Sequence, residues 1–428
     1  MLALRLARRA HPVVQMRRLL VAAAAGGTGF LLLCALGHAL THPHAPAGSV
    51  LRLAWCVVPA AATVHFAVTV ARTDPGTRPR PGLSAIGLGP ARLMAVSAVT
   101  TALSTVLGSL LALLFFLHLR GDLTGMPFDG AAADVLAADR PLPLPAALTL
   151  LALVPAAASV ATALVLRPKD TAARPAGLRT RFMAYDSFAI GRRTASPAGA
   201  TRYEEEPDEE AAASTDSREP ADPPAPRPAP GGLPWGIAVL AVGLAVETYA
   251  GQSGQAPGLT LPGGFADSPA GVLGGWLLTA LGLILVGPGL THLTGLLLQS
   301  VRPGARRLLA GRVLQEEARR IGRPLGVVCA VASGAYAMVT LSSGVRPTVG
   351  PLTLLGALVV AGCAVLTLAT AAVEARRAHA DTTAALLRLG APSALPRQAA
   401  LLRAGALLVV FGPLTWTVAQ LAALPLAA

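Results

Sequence analysis

Charge is what this sequence has little of: 13% of its 428 residues are Asp, Glu, Lys or Arg, while 53% are apolar. So little polar surface cannot shield that much apolar surface from water, which excludes an ordinary soluble domain. Cysteine is also sparse. Cys34, Cys56, Cys329 and Cys363 show no paired spacing, so they read as small apolar residues, with neither a disulfide framework nor a metal site. Catalytic signatures are missing too: the chain has no GxxxxGK[ST], HExxH, GxSxG or CxxC. The run GLGPAR that begins at Gly87 lacks the third glycine and the preceding strand of a dinucleotide site. His118 and Asp122, one helical turn apart, read as the polar end of a span rather than a dyad. The reading is of a non-enzyme with no cofactor and no metal.

What is present is apolar sequence in long runs. A hydrocarbon layer of ~30 Å needs about 20 apolar residues per helix. Nine such segments recur, at 19–40, 51–71, 93–117, 144–166, 234–250, 272–298, 325–343, 350–373 and 400–424. The predicted fold class is all-α, a polytopic integral membrane protein. The first segment is read as a retained anchor, because its apolar part exceeds that of a signal peptide and bulky Leu33 precedes Cys34.

The net charge of +13 then finds an explanation without nucleic acid. With the N-terminus inside and nine crossings, 31 of the 35 basic residues fall on the inner side, leaving Arg52, Arg120, Arg140 and Arg346 outside. Basic residues accumulate on the cytoplasmic side of membrane proteins. The expectation is a multi-pass protein of the cytoplasmic membrane with its C-terminus outside.

Residues 167–233 interrupt the pattern. The latter part, YEEEPDEEAAASTDSREPADPPAPRPAPGG, is acidic, Pro-rich and nearly free of bulky apolar residues, and reads as a disordered cytoplasmic linker. Its first part sets Phe182, Met183, Tyr185, Phe188 and Ile190 among four arginines. Two readings stay open there: an interfacial helix on anionic lipid, or an unstructured basic spacer.

The linker separates halves that resemble one another. Each opens with a basic amphipathic segment. In the first, Leu2 and Leu6 share one helical face and Arg5, Arg8 and Arg9 another; in the second, Leu314, Ala318 and Ile321 share a face and Glu316 and Arg320 are spaced to pair. Each half also carries a matching inner loop. Aligning Gly87 with Gly390 pairs LSAIG with LLRLG, with Arg72 fifteen residues before the first glycine and Arg376 fourteen before the second. The organisation read from this is a first four-span unit at 1–166, the linker at 167–233, two connecting spans at 234–298, and a second, three-span unit at 299–428.

A helix, an Arg-rich exit, LLRLGAP, further basic residues and a returning helix resemble the permease domain of FtsX-like and macrolide-exporter-like ABC transporters. The resemblance implies a coupling helix in each inner loop that docks on a separate ATPase, present as a dimer. The positions it touches are Arg72, Leu83, Ile86 and Gly87 in the first loop. In the second they are Arg376, Arg377, Leu386, Leu387, Leu389, Gly390 and Ala391, and Arg388 belongs to the same coupling loop. The chain differs from that family in having Thr382 where a Glu is usual, in its short outer loops at 41–50 and 344–350, and in ending after its ninth span.

Physically, LGAP can end a short helix cleanly, since Gly390 accepts the backbone a helix C-terminus needs and Pro392 cannot continue it. The leucines would give a partner an apolar face and Arg388 and Arg397 would orient it. The alternative is a tight turn anchored on lipid headgroups. Within the spans, His65, Glu247 and His292 stand out because ionisable groups in hydrocarbon are costly, and Glu247 and His292 are candidates for a substrate pathway. GVLGG at Gly271–Gly275 matches GxxxG, a packing motif. The function expected is a permease subunit moving an unidentified, lipophilic substrate. The alternative is a non-transporting relay or sensor of the same fold. Partners expected are the ATPase and membrane lipid, not nucleic acid.

Overall fold

The computed structural model describes residues 12–74, 90–123, 130–133, 136–167, 231–252, 258–261, 265–300, 304–342, 350–388, 390, 392 and 394–427. Residues 168–230 of the linker, the leading segment Leu2–Arg9 and the first inner loop with Leu83, Ile86 and Gly87 lie outside these residues.

The described chain is a helical bundle. Its elements are α1 (Pro12–Thr41), α2 (Pro46–Trp55), α3 (Val57–Thr73), α4 (Pro90–Arg120), α5 (Leu144–Leu166), α6 (Leu233–Gln252), α7 (Ala270–Ser300), α8 (Ala305–Ser342), α9 (Pro351–Ala378), α10 (Ala380–Arg388) and α11 (Ala394–Ala427). Eight of these segments, counting α2 with α3 as one, are long and apolar enough to cross a membrane. The protein is therefore an all-α, multi-pass membrane protein. Between α6 and α7 a small antiparallel hairpin, β1 (Gly258–Leu261) with β2 (Phe265–Pro269), departs from the all-helical expectation. Four or five residues per strand give too short a period-2 pattern to stand out beside long apolar runs.

The ninth segment expected, 325–343, has a different form. It is the second half of α8, whose first half is the basic amphipathic run, so that one 38-residue helix joins the two. Leu314 and Ala318 are buried on that helix as their shared face requires, and Ile321 is half-buried. Pro324 sits inside it without ending it. A proline forfeits one backbone bond, which neighbouring helices and local adjustment can make good. The far part of α8 runs beside α11, where Gln420 Nε2 donates to the Tyr336 hydroxyl at 2.7 Å.

Two styles of packing hold the bundle. Around the first-half helices and α9 the packing is conventional: Val21, Phe66, Ala67, Val70, Ala158, Val359 and Cys363 form one apolar cluster, and Leu33, Cys34, Ala112, Phe116, Ala147 and Leu151 another. Phe30 meets Phe116 edge to face, with ring centroids 6.2 Å apart. The four cysteines, Cys56 at the junction of α2 and α3 and the others within helices, are free and buried, as small apolar residues are.

Between α6, α7 and α8 the seam is made of glycine. Gly236 lies against Val286, Gly243 and Gly275 against each other's helices, Gly322 against Gly287 and Pro288, and Gly295 against Gly311. A Cβ on Gly322 would stand 2.6 Å from Pro288 Cα, so only a residue without one permits the backbones to approach this closely. The GxxxG match belongs to this seam: Gly271 meets Ala250 and Gly275 meets Glu247.

The contacts repeat between halves. In the first, α1 packs on α3 and α4; in the second, α8 packs on α9 and α11, its counterparts in chain order. The two sets meet where α3 packs on α9.

Candidate functional site

Cross-helix contacts set the levels of the site. Thr28 and Thr63 share a hydrogen bond of 2.9 Å, fully buried, and Thr63 lies 3.9 Å from Cys363 Sγ on α9. Level with residue 63 of α3 is thus residue 363 of α9, and since Arg17 reaches both Thr73 and the charge of Arg377, the two helices run in the same direction. Arg72 and the pair Arg376 and Arg377 are then brought to one end of the bundle, in the last turns of α3 and α9. All three are exposed.

Beside them each half carries an ion pair between its leading helix and the next helix of its repeat. Arg18 Nη2 lies 2.7 Å from Asp74 Oδ2, joining α1 to the residue after α3, while Arg17 donates to the Thr73 hydroxyl at 3.2 Å. In the second half Arg320 of α8 bonds Glu374 of α9. One turn away, His379 Nε2 and Glu317 Oε1 are 3.0 Å apart, and the charge of Arg403 on α11 reaches Glu317. The sequence reading identified none of these pairs across helices. Residues 18 and 74, or 320 and 374, are too far apart for helical spacing to link them; the signal available was an acid near the C-terminal end of each second helix, opposite a leading helix rich in arginine.

His379 is the elbow between α9 and α10. Its backbone (φ −98°, ψ 6°) leaves the helical path, and its carbonyl accepts from both the Thr383 hydroxyl (2.7 Å) and the Thr383 N–H (2.9 Å). This restarts the chain as α10. Among the described residues α10 makes no extended contact with any helix except α9, from which it emerges. Ala384, Ala385, Leu387 and Arg388 are exposed, Leu387 at 44%. The side chain of Leu386 and residues Leu389 and Ala391 lie outside the described set.

The break after α10 takes the form expected. Gly390 has φ +84°, in the left-handed region, and its N–H donates to Leu387 O at 3.1 Å. Of the second-loop residues singled out from sequence, the structure therefore places Arg376 and Arg377 in the exposed last turn of α9, and Leu387, Arg388 and Gly390 on the exposed arm that follows it.

The pathway candidates are placed far apart. Glu247 is fully buried between α6 and α7, accepting from the Thr279 hydroxyl at 2.8 Å, with its Oε2 unbonded among the described residues. It lies opposite Gly275. His292, half-buried, is 17 residues further along α7, roughly 26 Å at 1.5 Å per residue. The two are at opposite ends of one helical hairpin and form no shared site.

At the other end of α4, Arg120 is buried, pairs with Asp122 at 3.2 Å and donates to Arg140 O. Asp122 thus serves as a partner for arginine. No group of three or more His, Cys, Asp or Glu able to hold a metal occurs among the described residues.

Comparison with protein-family models, with curated proteins and with solved structures returns no match for this chain.

Proposed function

We propose that this chain is the membrane-spanning permease subunit of an ABC transporter, driven by a separate ATPase and similar to the FtsX-like permeases. The observation that carries the reading is the arm α10. It is a short helix set off from α9 by the His379 elbow, ended by a left-handed glycine, and held to the bundle at its root by the Glu317 contact. An arm built this way passes a push at its exposed face into α8 and α9. By the distribution of basic residues its end of the bundle faces the cytoplasm, where an ATPase resides.

The repeated packing of α1, α3 and α4 and of α8, α9 and α11 supports two such loops, one for each protomer of an ATPase dimer. The meeting of the halves at α3 and α9 offers an axis about which they would move.

The test is copurification. The chain, coexpressed with the ATPases of neighbouring genes and extracted in mild detergent, retains one of them. Leu387→Asp places a carboxylate on the docking face, at a cost of several kcal/mol where it becomes buried without a partner. It reduces ATPase retention by orders of magnitude while insertion and folding persist, because the arm lies outside the bundle. Retention unchanged by Leu387→Asp refutes α10 as the coupling element; recovery of the chain alone with every neighbouring ATPase favours the sensor reading.

A further inference from the structure

The helices α3 and α8 each pack on α9, yet make no extended contact with one another. Cys363 beside Thr63 of α3 and Glu374 bonded to Arg320 of α8 are eleven residues, three helical turns, apart, so α3 and α8 flank one face of α9 and leave a groove between them. His65 and Arg72 are seven residues apart on α3, two helical turns, and so share a face; both are exposed. Arg323 of α8 is exposed as well, and its charge, like that of Arg72, reaches His65 across the gap.

Levels agree with this. Thr63 opposite Cys363 sets Arg72 level with residue 372 of α9, and Arg320 bonded to Glu374 sets Arg323, one turn deeper, beside the same level. The nearby carboxylates are engaged elsewhere, Glu374 by Arg320 and Glu317 by His379, while Glu316 is two turns from Arg323.

Above the arginines the groove becomes apolar. The exposed face of α3 continues from His65 through Ala61 to Val57, and on α8 half-buried Val327 and Val331 follow Arg323 at four-residue steps. Positive charge at one end and an apolar stripe leading away from it match an amphiphile with an anionic head. Inorganic phosphate would use only the first of these features.

We infer that the groove between α3 and α8 is a binding site for one anionic phospholipid, its phosphate held by Arg72 and Arg323 and its acyl chains lying along Ala61, Val327 and Val331. The site requires no ATPase, so it stands apart from the transport reading.

The test uses the full-length chain, purified in mild detergent, titrated with fluorescent phosphatidylglycerol and separately with phosphatidylcholine. The expected result is preference for phosphatidylglycerol by a factor of ten or more. Arg72→Gln with Arg323→Gln abolishes that preference, Lys at both positions restores part of it, and Arg140→Gln at the far end of the bundle leaves it unchanged. Equal binding of both lipids overturns the inference. So does a loss with Arg140→Gln as large as with the pair, or displacement by inorganic phosphate as effective as by unlabelled lipid. If the double Gln variant fails to fold, Ala61→Phe, which fills the groove without altering charge, must weaken phosphatidylglycerol binding; undiminished binding there also overturns the site.

Discussion

Replacing Gly322 by Ala tests whether the glycine seam holds α7 and α8 together. The added Cβ would stand 2.6 Å from Pro288 Cα and 2.7 Å from Gly287 O. Carbon atoms pack at about 3.5–4.0 Å, so the backbones must part by roughly 1 Å. The neighbouring approaches are equally tight, with Gly326 positioned against Leu283 O and Gly311 against Gly295 O, so the separation loosens contacts along the seam. Overpacking of this kind costs about 1–3 kcal/mol. Alanine also favours a helix over glycine by about 1 kcal/mol, which opposes the loss.

Gly362 of α9 supplies the control, because a Cβ there meets nothing within 4 Å. Gly362→Ala gains the same helix propensity with no clash, so the difference between the two variants isolates the packing effect. Unfolding by SDS titration from mild detergent is the assay. Gly362→Ala unfolds at the same or higher SDS fraction than the parent, and Gly322→Ala lies below Gly362→Ala by roughly 1–3 kcal/mol. Equal midpoints for the two would refute the argument that backbone contact at Gly322 sets the α7–α8 distance.

Two further outcomes concern polar groups between the helices. Glu247→Gln preserves an acceptor for the Thr279 hydroxyl and stays within about 1 kcal/mol of the parent, whereas Glu247→Lys buries an unpaired ammonium and abolishes the folded monodisperse peak on gel filtration. A Glu247→Lys variant that folds normally would show that this position is open to water. For Arg320 and Glu374, a double-mutant cycle with Gln at each position yields a coupling of about 1 kcal/mol, kept modest because the arginine is partly exposed. A coupling indistinguishable from zero would remove this pair from the account of how α8 holds α9.

The sequence showed most of the fold because a membrane demands long apolar runs: eight of the nine expected spans fall on segments long and apolar enough to cross, down to α5 at Leu144–Leu166, and the ninth, 325–343, falls on the second half of α8. The break at Gly390 was equally legible, since a glycine followed by Ala-Pro leaves a helix few ways to continue. What stayed hidden was pairing across helices. Nothing local in the sequence says that Arg18 meets Asp74, that Glu317 meets the His379 elbow, or that Glu247 and His292 belong to opposite ends of one hairpin. The union of the basic segment with the seventh span into a single helix was also missed, because Pro324 and a change from polar to apolar composition both suggest a boundary. The backbone runs through both.

The buried hydroxyls where the halves meet have a mechanical consequence. Thr28 bonds Thr63, yet it also donates to its own helix at Ala24 O, 3.0 Å away, and Thr63 reaches that same carbonyl at 3.5 Å. Each hydroxyl therefore has a substitute acceptor within reach. If α3 slides along α1 or α9, one bond can be exchanged for another before any polar group is stranded in an apolar interior. At the level of Thr63 the contact of α3 with α1 resists separation through its apolar neighbours but offers little polar resistance to shear, as a greased bearing carries load across its faces and still turns.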